Sequence, residues 1–429
     1  MMSLISGELS AAWTLLAEQS WASLLLMFWL TVLAELTRYS LGLQATAAAL
    51  LLRNDRRKGI PVPLPKVSVL LVGHNEEGSI AKCVRSLRRQ SFHDFEIVCV
   101  DDGSSDRTFE IMCALRREGL VDTAIRLELR GGKAPGINLA ARIAHGDLFV
   151  VVDCDCSFDD DAIEQLLQPF ALDRGLAAVS GNLLVRNAAV SLVASLQAIE
   201  YLVSIALGKA YAHAIDQVCC VSGAFGAFRR DAWEQIGGMD VGGGEDLDFT
   251  IRLRARGYRV AFARHSICYT DAPATLFALL RQRHRWDRDA FWVRLRKHWR
   301  LFLPNRQIFR WREAVHQWDF VLFNMLPTIT FPFYVVWLLA HSGRDGVTIL
   351  IAVALVLLAL DLVVFISAVL VTGKWSQMRL LPFLPLFSLH QSWLMRCDRC
   401  YAYATEWILS RSRLDNYVPE KARAWTVWR

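Results

Sequence analysis

The chain has 429 residues, of which 54% are hydrophobic and 21% are charged. This length accommodates one large globular domain and several membrane helices, and so apolar a composition excludes an ordinary soluble enzyme. The formal net charge is only +6, so the overall charge does not indicate nucleic acid as a partner. The positive charge is clustered at 53–58 and 281–300, beside apolar segments, as is typical of cytoplasmic membrane boundaries.

The first apolar segment, residues 11–34, is long enough to cross a bilayer, which takes about 20 residues. No Lys or Arg precedes Arg38, whereas four basic residues follow between 53 and 58. The positive-inside rule therefore predicts an N-terminal membrane helix, followed by a cytoplasmic domain. Without a basic region before the apolar stretch, a cleaved signal peptide is not expected. We assign residues 1–60 to this helix and its basic linker.

Strands and helices alternate from Lys66 onward. Near-continuous apolar runs predict buried strands, and helical patterns lie between them. This alternation predicts an α/β domain built on a parallel sheet with helices on both faces. We place the domain at 61–273. The predicted strands are 67–72, 95–100 and 148–152, and the predicted helices include 78–89 and 106–118.

The remaining segments are apolar or basic. Three apolar stretches predict membrane helices within 318–396, after a basic and aromatic region at 274–317 and before a basic tail at 397–429. Asp361 and His390 lie inside two of these stretches. They either face a bundle interior or aqueous path, or are polar residues tolerated between packed helices. The three stretches are 318–340, 347–371 and 380–396.

Two polar segments directly follow the first two predicted strands. Asn75 and Glu76 come after the first strand, and Asp101 and Asp102 after the second. Ligands of open parallel sheets bind beyond the carboxyl ends of the strands, so these side chains are candidates for contacts with a nucleobase or ribose. An ordinary turn with capping Asp and Ser residues has the same sequence pattern.

Asp153 and Asp155 come at the end of the third predicted strand. Side chains two residues apart on extended backbone point to the same side, so both carboxylates would face the same cleft. Paired carboxylates and phosphate oxygens suit Mg²⁺ or Mn²⁺, which would neutralise a leaving diphosphate. A solvated acidic turn is the alternative.

Between these acidic motifs lies Arg130-Gly131-Gly132-Lys133. A glycine pair before a lysine is typical of backbone that approaches phosphate closely. A plain basic turn fits the local sequence equally well.

Gly244-Glu245-Asp246 precedes an amphipathic stretch rich in arginine. A carboxylate at a helix N-terminus can be a simple cap. It can also be the general base that removes a proton from a sugar hydroxyl.

Gln282, Arg285 and Trp286 lie in a segment where arginines alternate with aromatic residues. Such a helix suits the membrane interface. Arg285 is also suited to a diphosphate, and Trp286 to stacking against a sugar.

In this order these motifs resemble those of the inverting, GT-A-fold glycosyltransferases of family 2. The similarity is to membrane-embedded synthases of cellulose, chitin oligosaccharide, hyaluronan and poly-N-acetylglucosamine. It covers about residues 65–300 by motif and the flanking helices by architecture. Two positions depart from the family pattern, since Gly244 replaces the usual Thr and His74 stands where Tyr is frequent. Both departures concern acceptor preference rather than the type of reaction.

The resemblance implies a role for each matching residue. Asp246 would be the general base, with Glu245 beside it in the catalytic motif, and Asp153 and Asp155 would serve Mg²⁺ or Mn²⁺. Gly223 and Trp286 would lie near the acceptor. The nucleotide-sugar would be bound by Asn75, Glu76, Asp101, Asp102, Lys133, Asp153, Gln282 and Arg285.

The expected activity is inverting transfer from a UDP-sugar to a growing polysaccharide, with export across the cytoplasmic membrane and membrane lipid around the helices. A single transfer to a membrane lipid, giving a glycolipid, is the alternative. A transporter or scaffold that only binds nucleotide is a third possibility, which the acidic residues Asp153, Asp155 and Asp246 argue against. The sequence does not identify the sugar.

Overall fold

The computed structural model describes residues 20–30, 65–240, 242–303 and 311–410, with a few isolated positions before residue 50. A helix, α1 (Trp21–Leu30), lies within the predicted N-terminal span. The rest of that span, the basic linker and the end of the tail are outside the described residues.

An eight-stranded mixed sheet forms the core, in the order β3-β2-β1-β4-β7-β6-β8-β5. The predicted strands are confirmed as β1, β2 and β4, and β1 pairs in parallel with both β2 and β4. The prediction of an all-parallel sheet is wrong beyond β4, because β7 runs antiparallel to β4 and β6. An apolar run predicts burial on both faces of a sheet, but not strand direction. The strands are β1 (Val67–Gly73), β2 (Phe95–Asp102), β3 (Thr123–Leu127), β4 (Leu148–Asp153), β5 (Ser157–Phe158), β6 (Leu176–Val185), β7 (Phe225–Arg229) and β8 (Arg259–Thr270).

Helices cover the sheet, and the two predicted in the first half are confirmed as α2 and α3. In α2 the residues Ile80, Cys83, Val84 and Leu87 are buried, which is the spacing of one helix face. The helices of the domain are α2 (Ile80–Arg88), α3 (Thr108–Arg117), α4 (Lys133–Ile143), α5 (Ala162–Leu172), α6 (Leu192–Glu200), α7 (Gly208–Ala214), α8 (Arg230–Ile236) and α9 (Glu245–Ala255). A π-helical segment, Tyr201–Leu207, joins α6 to α7.

Five helices follow the domain. They are α10 (Leu276–Phe291), α11 (Trp311–Asp319), α12 (Leu326–Thr372), α13 (Leu384–Leu389) and α14 (Arg396–Leu409). Within the described residues, two helical stretches are long and apolar enough to cross a membrane, Leu192–Ala214 and Trp311–Thr372. The first is more than half buried inside the protein, so it is a core helix as much as a candidate span.

Helix α12 contains the predicted stretch 347–371 and most of the stretch 318–340, whose first residues lie in α11 and in the π-helical segment Phe320–Met325. It breaks at Gly343, whose φ of 53° and ψ of −122° are not helical. Gly346 packs against the chain before the break, since a Cβ there would lie 2.9 Å from the carbonyl oxygen of Leu338. The two arms therefore form a hairpin, with large apolar side chains such as Phe333 and Val336 exposed.

The predicted span 380–396 is divided among shorter elements and is not one of the two candidate spans in the described chain. The chain is attached to the sheet domain before this region and to α10 after it. Before it, Lys374 Nζ donates to Asp159 Oδ2 at 2.7 Å and to the Tyr269 hydroxyl at 3.0 Å. After it, Arg399 pairs with Asp287 of α10 at 3.1 Å.

Replacing Gly136 by valine tests the packing of α4 on β1. A Cβ at Gly136 would lie 2.5 Å from Val72 Cγ1, so α4 has to move away from the sheet. We expect a loss of about 1–3 kcal/mol in the free energy of unfolding, as for other overpacked cores. Thermal unfolding of the purified protein measures it. The matched control is Gly78→Val, since nothing lies within 4 Å of a Cβ there; equal losses in both variants would contradict the packing argument.

Candidate active site

The predicted cleft residues meet at one edge of the sheet. In the register of β2, β1 and β4, Asp101 pairs with Gly73 and Val72 pairs with Asp153. The ends of three adjacent strands, and the loops that follow them, are therefore neighbours. The sheet brings together the polar residues that the sequence places after each strand.

Asp102 holds the glycine loop that precedes α4. Its Oδ1 accepts a hydrogen bond from the Gly131 amide at 2.7 Å, and its Oδ2 accepts one from the Gly132 amide at 2.9 Å. Burial raises the pKa of Asp102, against these two hydrogen bonds. Asp101 is fully buried and lies 3.4 Å from Arg126 Nε. Contact of either carboxylate with a nucleoside stays a prediction.

Asn75 and Glu76 lie in the loop after β1. Asn75 has a positive φ of 59°, and its Oδ1 accepts from the Ser105 amide at 2.9 Å, which joins this loop to the one after β2. Burial raises the pKa of Glu76, and the charges of Asp155 and Asp153 raise it further. Glu76 therefore faces the same cleft as the paired aspartates.

Lys133, the first residue of α4, is the cation of the cleft. Its Nζ forms a salt bridge with Asp153, donates to the Gly223 carbonyl at 3.0 Å and lies 3.9 Å from Glu245 Oε1. Burial acts against the charged form, but Asp153 and Glu245 hold the pKa of Lys133 well above its ordinary value. The lysine is thus fully protonated at neutral pH.

Gly223 lies between Lys133 and Asp246. Its amide donates to Asp246 Oδ2 at 3.1 Å, while its carbonyl accepts from Lys133. A Cβ on Gly223 would lie 3.2 Å from Lys133 Nζ and 3.4 Å from Asp246 Cβ, so a larger residue would crowd both. The predicted acceptor residue, phosphate residue and general base therefore form one connected group.

Glu245 and Asp246 begin α9, after Gly244 with a positive φ of 72°. Burial raises the pKa of Glu245 to about 7, and the neighbouring charge of Asp246 adds to this shift. The Thr250 hydroxyl donates to the Asp246 carbonyl at 2.7 Å. The helix start thus fixes two acidic side chains beside Lys133.

Helix α10 packs against the glycines that precede α9. A Cβ at Gly243 would lie 2.2 Å from Asp289 Oδ2, so only glycine fits there. Asp289 follows Gln282, Arg285 and Trp286 by seven, four and three residues, which places all four on one face of the helix. That face is therefore directed toward the Gly243 loop. The predicted diphosphate contact of Arg285, an exposed residue, stays a prediction.

Several contacts of this site had no signal in the sequence. The Thr270 hydroxyl donates to Asp155 Oδ2 at 3.3 Å, and Arg186 Nη2 donates to the Asp155 carbonyl at 2.8 Å. Both residues are at the ends of distant strands, β8 and β6. The Gly243–Asp289 contact joins residues far apart in the sequence as well. Only the fold identifies them.

Asp153 and Asp155 fit a divalent cation in their chemistry. Burial and the charge of Asp153 raise the pKa of Asp155, so a positive ion would relieve the repulsion between these carboxylates. In the described part of the chain, no group of three acidic, histidine or cysteine side chains could hold a metal ion. The two aspartates would therefore supply only part of a coordination shell, as expected if phosphate oxygens of a substrate complete it.

The sequence comparison decides the family. Residues 65–288, more than half of the chain, match the sequence model described as glycosyltransferase like family 2. The chain belongs to this family. It is therefore a glycosyltransferase, and the fold predicted from the motifs is confirmed.

Named relatives cover the same region. The chain is 29% identical over 237 residues to a poly-beta-1,6-N-acetyl-D-glucosamine synthase of Staphylococcus epidermidis, a match over 54% of this chain and 56% of the relative. It is 30% identical over 234 residues to the synthase of that name from Staphylococcus aureus (strain COL), with the same coverage. The chain thus spans little more than half the length of these relatives.

A solved structure supports the fold. The mannosyltransferase PcManGT from Pyrobaculum calidifontis, in complex with GDP-Man and Mn²⁺, superimposes with a TM-score of 0.55 at 19% sequence identity. The match covers 79% of this chain and 99% of that one. The glycosyltransferase therefore has the GT-A architecture, a mixed Rossmann-like sheet, followed by a helical C-terminal region.

Replacing Asp248 by asparagine tests the buried ion cluster behind the catalytic motif. Asp248 is buried and pairs with Arg252, Lys297 and His298 at 2.7–2.8 Å. Although burial opposes ionisation, these partners hold the pKa of Asp248 well below its ordinary value of 3.8. We expect a loss of about 3 kcal/mol in the free energy of unfolding at neutral pH, measured by chemical denaturation.

The pH dependence follows from the lowered pKa. Because the folded protein favours the carboxylate, the stabilisation is complete above the ordinary pKa and is lost as the pH falls through and below it. The difference between wild type and Asp248→Asn should therefore shrink below about pH 4. Asp240→Asn is the control, since Asp240 also pairs with Lys297, at 2.6 Å, but is half exposed. A larger loss from Asp240→Asn than from Asp248→Asn would contradict this account.

Proposed function

We propose that the glycosyltransferase transfers a sugar from a UDP-sugar to the end of a growing polysaccharide, with inversion at C1. The observation that carries this proposal is the Gly223 bridge, which fixes the cation Lys133 and the carboxylate Asp246 on either side of one backbone position. A diphosphate leaving group needs a cation, and an attacking hydroxyl needs a base. The names of the relatives make UDP-N-acetylglucosamine the first donor to test.

Asp246 would remove the proton from the acceptor hydroxyl. The hydroxyl oxygen then forms a bond to C1 of the donor, while the bond from C1 to the diphosphate oxygen breaks and UDP leaves with the electron pair. The Gly223 amide supports this role, because its hydrogen bond fixes the orientation of the Asp246 carboxylate. Glu245, whose pKa burial raises to about 7, would lie next to this base. The two neighbouring carboxyl groups would interact electrostatically.

Lys133 would contact the diphosphate, since it is the charged group at the start of α4. The Gly131–Gly132 loop before it is fixed by hydrogen bonds from its two amides to Asp102. Mg²⁺ or Mn²⁺ bound through Asp153 and Asp155 would stabilise negative charge on the leaving group. Asp155 is held for this role by Thr270 and Arg186.

The helical region supports a membrane location with the sheet domain in the cytoplasm. The hairpin of α12 is long and apolar and exposes large apolar side chains. Helix α14 packs along α10, and Arg296, in the π-helical segment that follows α10, donates to the Glu406 and Trp407 carbonyls at 3.0 Å. The contact with α10 and the arginines of α14 both support a position of the C-terminal helix on the side of the catalytic domain.

The length of the product tests the polymerase activity. Membranes that contain the chain, supplied with radiolabelled UDP-N-acetylglucosamine and Mg²⁺ or Mn²⁺, should give a ladder or a high polymer, and a chelator should abolish it. Membranes without the chain are the control. A single labelled glycolipid in the organic phase would instead establish one transfer to a lipid. If labelled UDP-glucose alone is consumed, the choice of donor is wrong.

Asp246→Asn tests the general base. We expect transfer to fall by about 10²–10⁴-fold, the usual contribution of such a group, while UDP binds as tightly as to wild type. Initial rates of UDP release and calorimetry with UDP measure the two effects. Asp240→Asn, the same exchange in the loop before α9, should keep wild-type rates. Near-normal turnover of the purified Asp246→Asn protein would exclude this residue as the base.

A further inference from the structure

A group of buried polar atoms lies outside the catalytic cluster, where the sheet domain meets the C-terminal helices. Within the described residues, no hydrogen-bond partner is found for Arg283 Nε, Gln391 Nε2 or either ring nitrogen of His390. Arg283 and His390 are both more than nine-tenths buried. A buried polar group without a partner costs about 1–3 kcal/mol, so these groups require a polar partner, either water or a ligand.

These groups come from three elements that converge. Helix α13 packs against α6, which brings His390, the residue after α13, toward Glu200, the last residue of α6. Arg283 of α10 completes the group, with Nη2 3.0 Å from Glu200 Oε2. His390 interacts electrostatically with both Glu200 and Arg283. We name Glu200, Arg283 and His390 the polar seam.

The polar seam adjoins the tryptophan of the family motif. The guanidinium of Arg283 lies over the Trp286 ring, 4.5 Å from its centroid, and Trp286 is 39% exposed. Indole rings stack against the apolar faces of sugars, whereas carboxylate, guanidinium and imidazole groups exchange hydrogen bonds with hydroxyls. The combination suits a carbohydrate whose ring stacks on Trp286 and whose hydroxyls reach the seam.

The segment that contains His390 is attached at both ends to other parts of the protein. Lys374 holds its beginning to Asp159 and Tyr269, and Arg399 holds the helix after it to Asp287. Residues 375–395 thus lie between an attachment to the sheet domain and an attachment to α10. A histidine with two unpartnered nitrogens in such an apolar segment is costly unless it serves a ligand.

From this arrangement we infer that the polar seam is a subsite for the acceptor carbohydrate, in which Glu200, Arg283 and His390 bind hydroxyl groups of a sugar next to the one that stacks on Trp286. This inference rests on the proposed function, because it assumes that a glycan end is the acceptor. It assigns acceptor recognition to His390 and Glu200, two residues outside the family motifs, and leaves donor binding to the cleft around Lys133.

The test separates acceptor binding from donor chemistry. Full-length protein is given UDP-N-acetylglucosamine, and UDP release is measured without an acceptor and with increasing β-1,6-linked N-acetylglucosamine trisaccharide. For His390→Ala and Glu200→Gln we expect the KM for the trisaccharide to rise about five- to tenfold, as for the loss of one hydrogen bond. The donor KM and the release of UDP to water should stay at wild-type values.

Two further variants make the result specific. His390→Asn keeps a hydrogen-bonding group and should recover part of the acceptor affinity. His341→Ala removes a histidine from the α12 hairpin, where His341 is exposed and stacks on Trp337, and should change nothing.

An unchanged trisaccharide KM in both His390→Ala and Glu200→Gln would overturn the inference. A parallel fall of UDP release to water would do the same, because it would show a structural role instead. If the wild-type protein releases no UDP from any UDP-sugar, the proposed function itself fails, which is a separate outcome.

Discussion

The backbone of Gly223 determines the geometry of the candidate active site. The carbonyl of Gly223 accepts from Lys133 and its amide donates to Asp246, so a cation from α4 and a carboxylate from α9 are fixed by the same peptide segment. Neither group can shift without disturbing the other. Because a Cβ would lie 3.2 Å from the ammonium group, the position has little room for any side chain. The loop before β7 thus links Lys133 and Asp246, the two residues proposed to act on the leaving group and on the acceptor.

The rest of the domain keeps this centre in place through buried charge and close backbone contacts. Asp248 joins α9 to the segment after α10 through Lys297 and His298. On the opposite side of α9, Arg254 pairs with Glu313 of α11 at 2.8 Å, with both side chains buried. Breaking a buried pair leaves an uncompensated charge, which is costly. Helix α9 is therefore fixed between the rest of the domain and the C-terminal helices.

The sequence was sufficient for features that are local. Apolar runs identified β1, β2 and β4, and the position of acids after these runs identified the cleft, because parallel neighbours end at the same edge. Long-range pairing was not accessible: no local pattern reveals that β7 runs antiparallel, that Thr270 reaches Asp155, or that Gly243 lies against Asp289. A sequence motif also identifies a candidate side chain without showing which groups form hydrogen bonds with it in the fold. Asp102 is at the predicted edge, yet both of its oxygens accept from the Gly131 and Gly132 amides.

In the proposed membrane location, the hairpin of α12, extended by α11, would set the height of the catalytic domain. At about 1.5 Å per residue, the arm from Trp311 to the Gly343 break is roughly 48 Å long, and the arm from there to Thr372 is about 43 Å. A bilayer core is only about 30 Å thick, so arms that crossed it would each extend some 15 Å beyond it. The ends of the arms are attached to the domain, one by Glu313 and Arg312 and the other by Lys374. The hairpin would thus act as a spacer, and its length would determine how far from the lipid a new glycosidic bond is made.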